Sequence, residues 1–291
     1  MPIPIEASTA MDTFVFVAVL IAAACHAGWN AILKLDVEPI IATTMMAVAS
    51  GLVVLPFAFF AGLPDIAAWP CLVASVVIHI GYYLTLAEGY RHGDLGQVYP
   101  IARGTAPLLT AVIATLMLGE TPGLFGWSGL IALTVGVMLL AVRGGRQARR
   151  FDARSVGFAL LTSLTITAYT LVDGIGARIA GSAAYTVWLF LLSGAAMSLY
   201  GVICVGPQRL IAHSRANWAF ALCGAALSTA AYAIAIWAMT VAPIALVAAL
   251  RETSVLFATL ISTLFLREPW LVARIAATFL VLAGALLLRM R

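Results

Sequence analysis

Charge is what this 291-residue chain has least of: 10% of its residues are Asp, Glu, Lys or Arg, against 63% hydrophobic, and the mean hydropathy is +1.07. A soluble domain of this length needs about 25% charged residues to cover its surface. That shortage excludes a soluble protein and implies an integral membrane protein. Cysteine is also scarce. Cys25, Cys71, Cys204 and Cys223 all fall in apolar stretches without paired spacing, so neither disulfides nor a metal site is expected. The first residues, Met1-Pro-Ile-Pro-Ile-Glu6, hold no Lys or Arg, which argues against a cleaved secretory signal. No Gly-rich phosphate loop occurs, and no nucleophile has an evident base. His26, His79, His92 and His213 are scattered rather than clustered. ATP-driven transport and enzyme chemistry are therefore not expected, nor is any cofactor.

What is present is a series of apolar runs about 20 residues long, the length that spans a bilayer as a helix. We read ten spans, near 13–34, 39–61, 67–90, 95–118, 123–142, 155–178, 184–205, 216–240, 243–266 and 269–288. Gly and Pro punctuate the connections at Gly62-Leu-Pro64, Gly119-Glu-Thr-Pro122 and Gly206-Pro207.

A polar pattern recurs 148 positions apart. Over 103–120 against 251–268, 8 of 18 pairs are identical, including Arg103/Arg251, Thr105/Thr253 and Glu120/Glu268. Leu- and Ala-rich composition explains shared leucines. It does not explain an Arg inside an apolar run followed 17 residues later by a Glu, twice at one offset. The chain is thus two copies of one unit: residues 1–142, a basic linker over 143–154, and residues 155–291. Each copy has five spans, an odd number, so the copies enter the membrane from opposite sides. The expected architecture is an all-α membrane protein of ten transmembrane helices, arranged as two inverted five-helix repeats around a central cavity.

Positive charge is uneven. The loops joining spans 1–2, 3–4, 5–6, 7–8 and 9–10 carry Lys34, Arg91, Arg143, Arg146, Arg149, Arg150, Arg154, Arg209, Arg215, Arg267 and Arg274. The opposite side carries Arg178, Arg289 and Arg291. Basic residues stay cytoplasmic, which places the central linker in the cytoplasm and both termini outside. The run Arg143–Arg150 also resembles a nucleic-acid patch. As a short linker between spans it is read as a membrane-topology signal, and no nucleic-acid partner is expected.

Five-helix halves, a Trp-Asn-Ala-x-x-Lys pattern ending span 1 (Trp29, Asn30, Lys34) and an apolar-Gly-Glu pattern closing span 4 (Leu118-Gly119-Glu120) resemble the drug/metabolite transporter superfamily. The ten-helix EamA type is the nearest group, and within it the chain is similar to YddG-type amino-acid exporters. The resemblance covers essentially the whole chain and implies a multi-pass cell-membrane (inner-membrane) carrier of small molecules, working as a monomer in the lipid bilayer. One departure stands out. Basic residues that common members carry in loops 2–3 and 4–5 stand here in loops 7–8 and 9–10, as if the chain were flipped.

Ionisable groups inside spans are costly unless paired or hydrated, so each is a functional candidate. Arg103 lies about eight residues into span 4, roughly 12 Å deep at about 1.5 Å per residue, and Arg251 mirrors it. Guanidinium suits a substrate carboxylate; alternatively each arginine closes an internal ion pair, Arg103 with Glu88, and Arg251 with Glu252 or Asp173. Glu252 breaks the repeat, since its counterpart is Gly104. It can hold a substrate ammonium or carry a proton. Glu120 and Glu268 read as helix-end contacts. His79, Tyr82, Tyr83, Leu86 and Tyr90 share one helical face of span 3, either walling a cavity or anchoring at the lipid interface. The expected substrate site is His79, Tyr82, Tyr99 and Arg103 facing Trp237, Arg251 and Glu252.

The expected function is secondary-active export of small metabolites, foremost amino acids, by alternating access. The alternative is export of hydrophobic cations or drugs by proton antiport. Four-helix relatives that do so carry a carboxylate in span 1, which Phe14–Leu33 lacks. An intramembrane enzyme or a lipid flippase needs a nucleophile–base pair, a metal or a basic lateral opening, and none is visible.

Overall fold

A computed structural model describes residues 11–32, 39–93, 95–144, 152–265 and 272–290. Among the described residues all regular structure is helical. We label the main helices α1 (Thr13–Ile32), α2 (Pro39–Val54), α3 (Trp69–His92), α4 (Leu95–Leu118), α5 (Gly123–Gly144), α6 (Ala153–Ala180), α7 (Ser182–Val205), α8 (Pro207–Val241), α9 (Ile244–Arg251), α10 (Ser254–Phe265) and α11 (Val272–Arg289). Eight helical segments are long and apolar enough to cross a bilayer, and two shorter apolar helices, Gly123–Leu139 and Ile275–Arg289, complete the ten. Large apolar side chains such as Phe59, Phe60, Leu116, Met117 and Phe279 point outward. In water that surface would be a liability, whereas in lipid it is the solvated face.

Three details depart from the expected spans. α8 begins at Pro207 rather than near 216. Nothing after Pro207 stops the helix, so a polar turn bearing Arg209, His213 and Arg215 continues into the crossing through a kink at Asn217 (φ −123°, ψ 18°). The Asn217 side chain donates to His213 O at 3.1 Å across that kink. Span 2 reaches Ala61 as expected but not as one helix: Pro56 lacks an N–H, and the chain tightens into a 3-10 turn, Leu55–Phe57, before a last helical turn Ala58–Ala61. The ninth crossing is not one helix but two, α9 and α10, interrupted at Glu252-Thr253. Glu252 N bonds to Ala249 O, Thr253 N to Leu250 O, Val255 N to Glu252 O and Leu256 N to Thr253 O. These are i to i−3 bonds, a tightened stretch in mid-crossing.

The packing carries an internal two-fold. Exchanging the two halves maps α3 against α6 onto α8 against α1, and both are major interfaces. α2 packs on α7 and α5 packs on α11, each pair being its own counterpart. On these axial pairs the helices meet at glycine. A Cβ on Gly194 would lie 3.0 Å from Ala47 O, and one on Gly129 would lie 2.8 Å from Gly284 O. Small residues let the backbones approach where lipid supplies no hydrophobic driving force. α9 is the most enclosed element, with every residue from Ile244 to Arg251 buried. It packs on α1, α4, α5, α6, α8 and α11, so Arg251 at its C-terminal end reaches the middle of the protein.

Candidate functional site

A cavity of about 270 Å³ lies between the halves, with walls from α1, α2, α3, α4, α6, α7, α8 and α9. The stripe on α3 faces it: His79, Tyr82, Tyr83, Leu86 and Tyr90 all contribute. From α4 come Tyr99 and, one turn on, Arg103; from α9 comes Arg251. Trp29 and Asn30 at the C-terminal end of α1 and Thr43 near the start of α2 extend the walls toward the face that bears the basic loops.

The deep end is a nest of rings. His79 stacks on Tyr169 (centroids 4.2 Å apart, planes at 23°), and Tyr82 and Tyr232 meet Tyr169 edge-on at 5.9 and 6.4 Å. His79 Nδ1 lies 2.9 Å from Ser75 O. A carbonyl only accepts, so this contact puts a proton on Nδ1. Offset and edge-on rings give flat apolar walls with polar tips.

Arg103 and Glu252 form a two-point contact between the halves, Nη2 to Oε1 at 2.9 Å and Nε donating to Oε2 at 3.2 Å, with both side chains almost wholly buried. This replaces the ion pairs expected from sequence. Glu88 instead accepts from Arg91 at 3.0 Å at the helix end. Glu252 does not serve Arg251, because adjacent residues on a helix point about 100° apart. Arg251 lies over the Tyr232 ring, 4.9 Å from guanidinium carbon to centroid, and makes no ion pair among the described residues. Asp173 on α6 is fully buried and accepts from Tyr185 Oη at 2.8 Å and from Tyr232 Oη.

Two expected members of the site stand elsewhere. Trp237 is not among the cavity-lining residues; it packs against the apolar core from outside and edge-on to the exposed Phe14 (5.6 Å, 79°). Five residues separate it from Tyr232, which turns it about 140° around α8. Glu252 is not among the cavity-lining residues and joins the wall through its contact with Arg103. Sequence reading passed over Tyr169, the ring at the centre of the nest. The signal was there: Tyr169 and Asp173 are polar residues one helical turn apart in an apolar crossing.

The face opposite the basic loops is tied shut. Glu120, just after α4, meets Arg178 near the end of α6 at 2.6 Å and accepts from Ile244 N at 2.8 Å. Arg178 also donates to Met239 O at 2.9 Å and Ala242 O at 3.2 Å. One carboxylate and one guanidinium thus join the ends of α4, α6 and α8 and the start of α9. Glu268, the repeat counterpart of Glu120, lies outside the described residues. Among the described residues no group of His, Cys, Asp or Glu is placed to hold a metal ion.

The model of the EamA-like transporter family matches residues 11–142 and 153–290. The chain belongs to the EamA-like transporter family. Its two matched segments hold α1–α5 and α6–α11, the units exchanged by the internal two-fold. This EamA-like protein is therefore a multi-pass membrane transporter of small molecules. A crystal structure of a protein superposes with a TM-score of 0.73 over 94% of this chain and 95% of the other, at 16% identity. That likeness shows the fold alone. No curated protein matches.

Proposed function

We propose that this transporter is a secondary carrier that exports small metabolites, foremost amino acids, by alternating access. The observation that carries the reading is Arg251. It is a guanidinium at an aromatic cavity, with no carboxylate partner among the described residues. Arg103 has already spent its charge on Glu252. A permanent, forked cation with no ion pair among the described residues suits a substrate carboxylate, and desolvating that carboxylate without a partner would be costly. His79, Tyr82 and Tyr99 supply flat walls and hydroxyl or imidazole tips for the rest of the molecule, and electron-rich ring faces attract an ammonium. A hydrophobic cation gains nothing from Arg251, which argues against that alternative.

The tie between Glu120 and Arg178, with the cavity walls reaching toward the opposite face, supports a carrier closed on one side. With the basic loops cytoplasmic and both termini outside, the cavity extends toward the cytoplasm, the side from which an exporter loads. Helices of one chain suffice to wall the cavity, which supports a carrier that works as a monomer. Counterflow in proteoliposomes tests the reading. Vesicles loaded with unlabelled amino acids should take up trace labelled amino acid transiently, and protein-free vesicles should not. Absence of counterflow across the amino acids would reject it.

A further inference from the structure

Of the two carboxylates buried beside the cavity, one is neutralised and one is not. Glu252 has Arg103 at 2.9 Å. Asp173 has two phenol hydroxyls, the Ser75 hydroxyl and, among the described residues, no ion pair. It is fully buried in a membrane-spanning helix. The groups that face it come from every helix around it: Ser75, His79 and Cys71 on α3, Tyr185 on α7, Tyr232 on α8, and Tyr169 one turn earlier on α6 itself. α9 offers only the side chain of Ile244, against Gly174. Arg178, the nearest cation along α6, is committed to Glu120 and two carbonyls. A carboxylate placed this way either stays ionised on hydroxyl hydrogen bonds alone or takes a proton, and a proton removes the buried charge altogether.

Tyr232 makes the position consequential. Its hydroxyl donates to Asp173, and its ring lies under the Arg251 guanidinium. One side chain therefore connects the unpaired carboxylate to the unpaired cation. We propose that Asp173 is the proton site of the carrier, and that Tyr232 sets proton binding there against binding of the substrate carboxylate at Arg251. The inference rests on the carrier reading above and deepens it to exchange of substrate for protons. When Asp173 is ionised, it holds the Tyr232 hydroxyl, and the ring is fixed beneath Arg251. When Asp173 takes a proton, one of its oxygens becomes a donor and the charge that attracted both hydroxyls is gone. Tyr232 then loses its anchor and Arg251 loses its platform. The coupling is reciprocal: a substrate that needs Arg251 held in place disfavours the proton, and the proton disfavours the substrate. Mutual exclusion of this kind is the condition for antiport. The step is a protonation alone, with the proton exchanged with water through whichever face is open.

The test begins without a substrate. Infrared difference spectra of the purified full-length protein, recorded across a pH titration, should show a protonated-carboxyl C=O band. Asp173→Asn should lack the band, and Glu252→Gln should keep it. A wild-type protein without such a band, or an Asp173→Asn protein that retains it, overturns the proton site whatever transport shows. If Asp173→Asn does not purify as a single species, the pair Tyr185→Phe and Tyr232→Phe serves instead. It keeps the carboxyl and removes both its phenol donors, leaving Ser75, so the band must change frequency; an unchanged band overturns the assignment. In proteoliposomes, an inward-directed or outward-directed pH gradient should drive uphill movement of labelled amino acid by the wild type. For Asp173→Asn, the ratio of gradient-driven to downhill flux should fall at least tenfold; an unchanged ratio overturns the coupling. A titrating Asp173 band without amino-acid counterflow would reject the amino-acid reading and leave the proton site standing.

Discussion

The Arg103–Glu252 contact makes the sharpest energetic prediction. Its two contacts are 2.9 and 3.2 Å, and the side chains are 6% and 7% exposed, so neither charge has water to fall back on. Arg103→Gln removes the cation and leaves a carboxylate buried among rings. Breaking a buried pair from one side costs about 3–5 kcal/mol, a large share of a folded domain's roughly 5–15 kcal/mol. Glu252→Gln leaves Arg103 stranded and should cost a similar amount. The double variant, Arg103→Gln with Glu252→Gln, removes both charges and leaves two amides of suitable length to bond to each other. Its loss should be smaller than the sum of the two single losses by at least about 2 kcal/mol. Equilibrium unfolding in mixed detergent micelles, followed by tryptophan fluorescence, gives all four corners of the cycle. Single variants as stable as the wild type, or a double variant that loses the full sum, would refute the view that Arg103 is spent on bracing the two halves.

Tyr82→Ala should purify as a monodisperse protein and raise the apparent KM for exported substrate several-fold, since Tyr82 closes the aromatic wall against Tyr169; an unchanged KM would take Tyr82 out of the site. A green fluorescent protein fused at the C-terminus should stay dark and a periplasmic phosphatase fusion should be active, because eleven basic residues lie on the loop face opposite the termini and three on the terminal side; bright fluorescence would reverse the orientation. Glu120→Gln should loosen the tie on Arg178 and Ile244. With Cys71 kept as the single cysteine, a membrane-impermeant maleimide should then label it faster from the terminal face, and an unchanged rate would show that the tie does not hold that face closed.

How much of this was readable beforehand differs by scale. The crossings were readable because apolar runs and the Gly and Pro between them are local signals. The repeat was readable because an Arg followed by a Glu at one spacing survives in both copies. The α3 face was readable from helical spacing alone, although spacing does not say whether a face meets cavity or lipid. What sequence withheld is long-range or conformational. Arg103 and Glu252 are 149 positions apart, and their pairing depends on how the halves close on each other. The break at Glu252-Thr253 has no Gly or Pro to announce it, so the ninth crossing looked continuous. Trp237 was assigned by its residue type rather than by its angle around α8, and the helix turns it away from the cavity toward Phe14. Asp173 and Tyr232 sit on different crossings, and only folding brings the hydroxyl to the carboxylate.

The central claim is that Arg251 receives a substrate carboxylate in the cavity between the repeats. Competition against amino-acid counterflow tests it most directly. Unlabelled amino acids should compete, while their amides and decarboxylated amines should compete at least tenfold less well, the loss of a charge-assisted hydrogen-bond pair being about 1.5–3 kcal/mol. In Arg251→Gln vesicles that discrimination should vanish. Equal competition by amides in the wild type, or discrimination that persists in Arg251→Gln, would contradict the account.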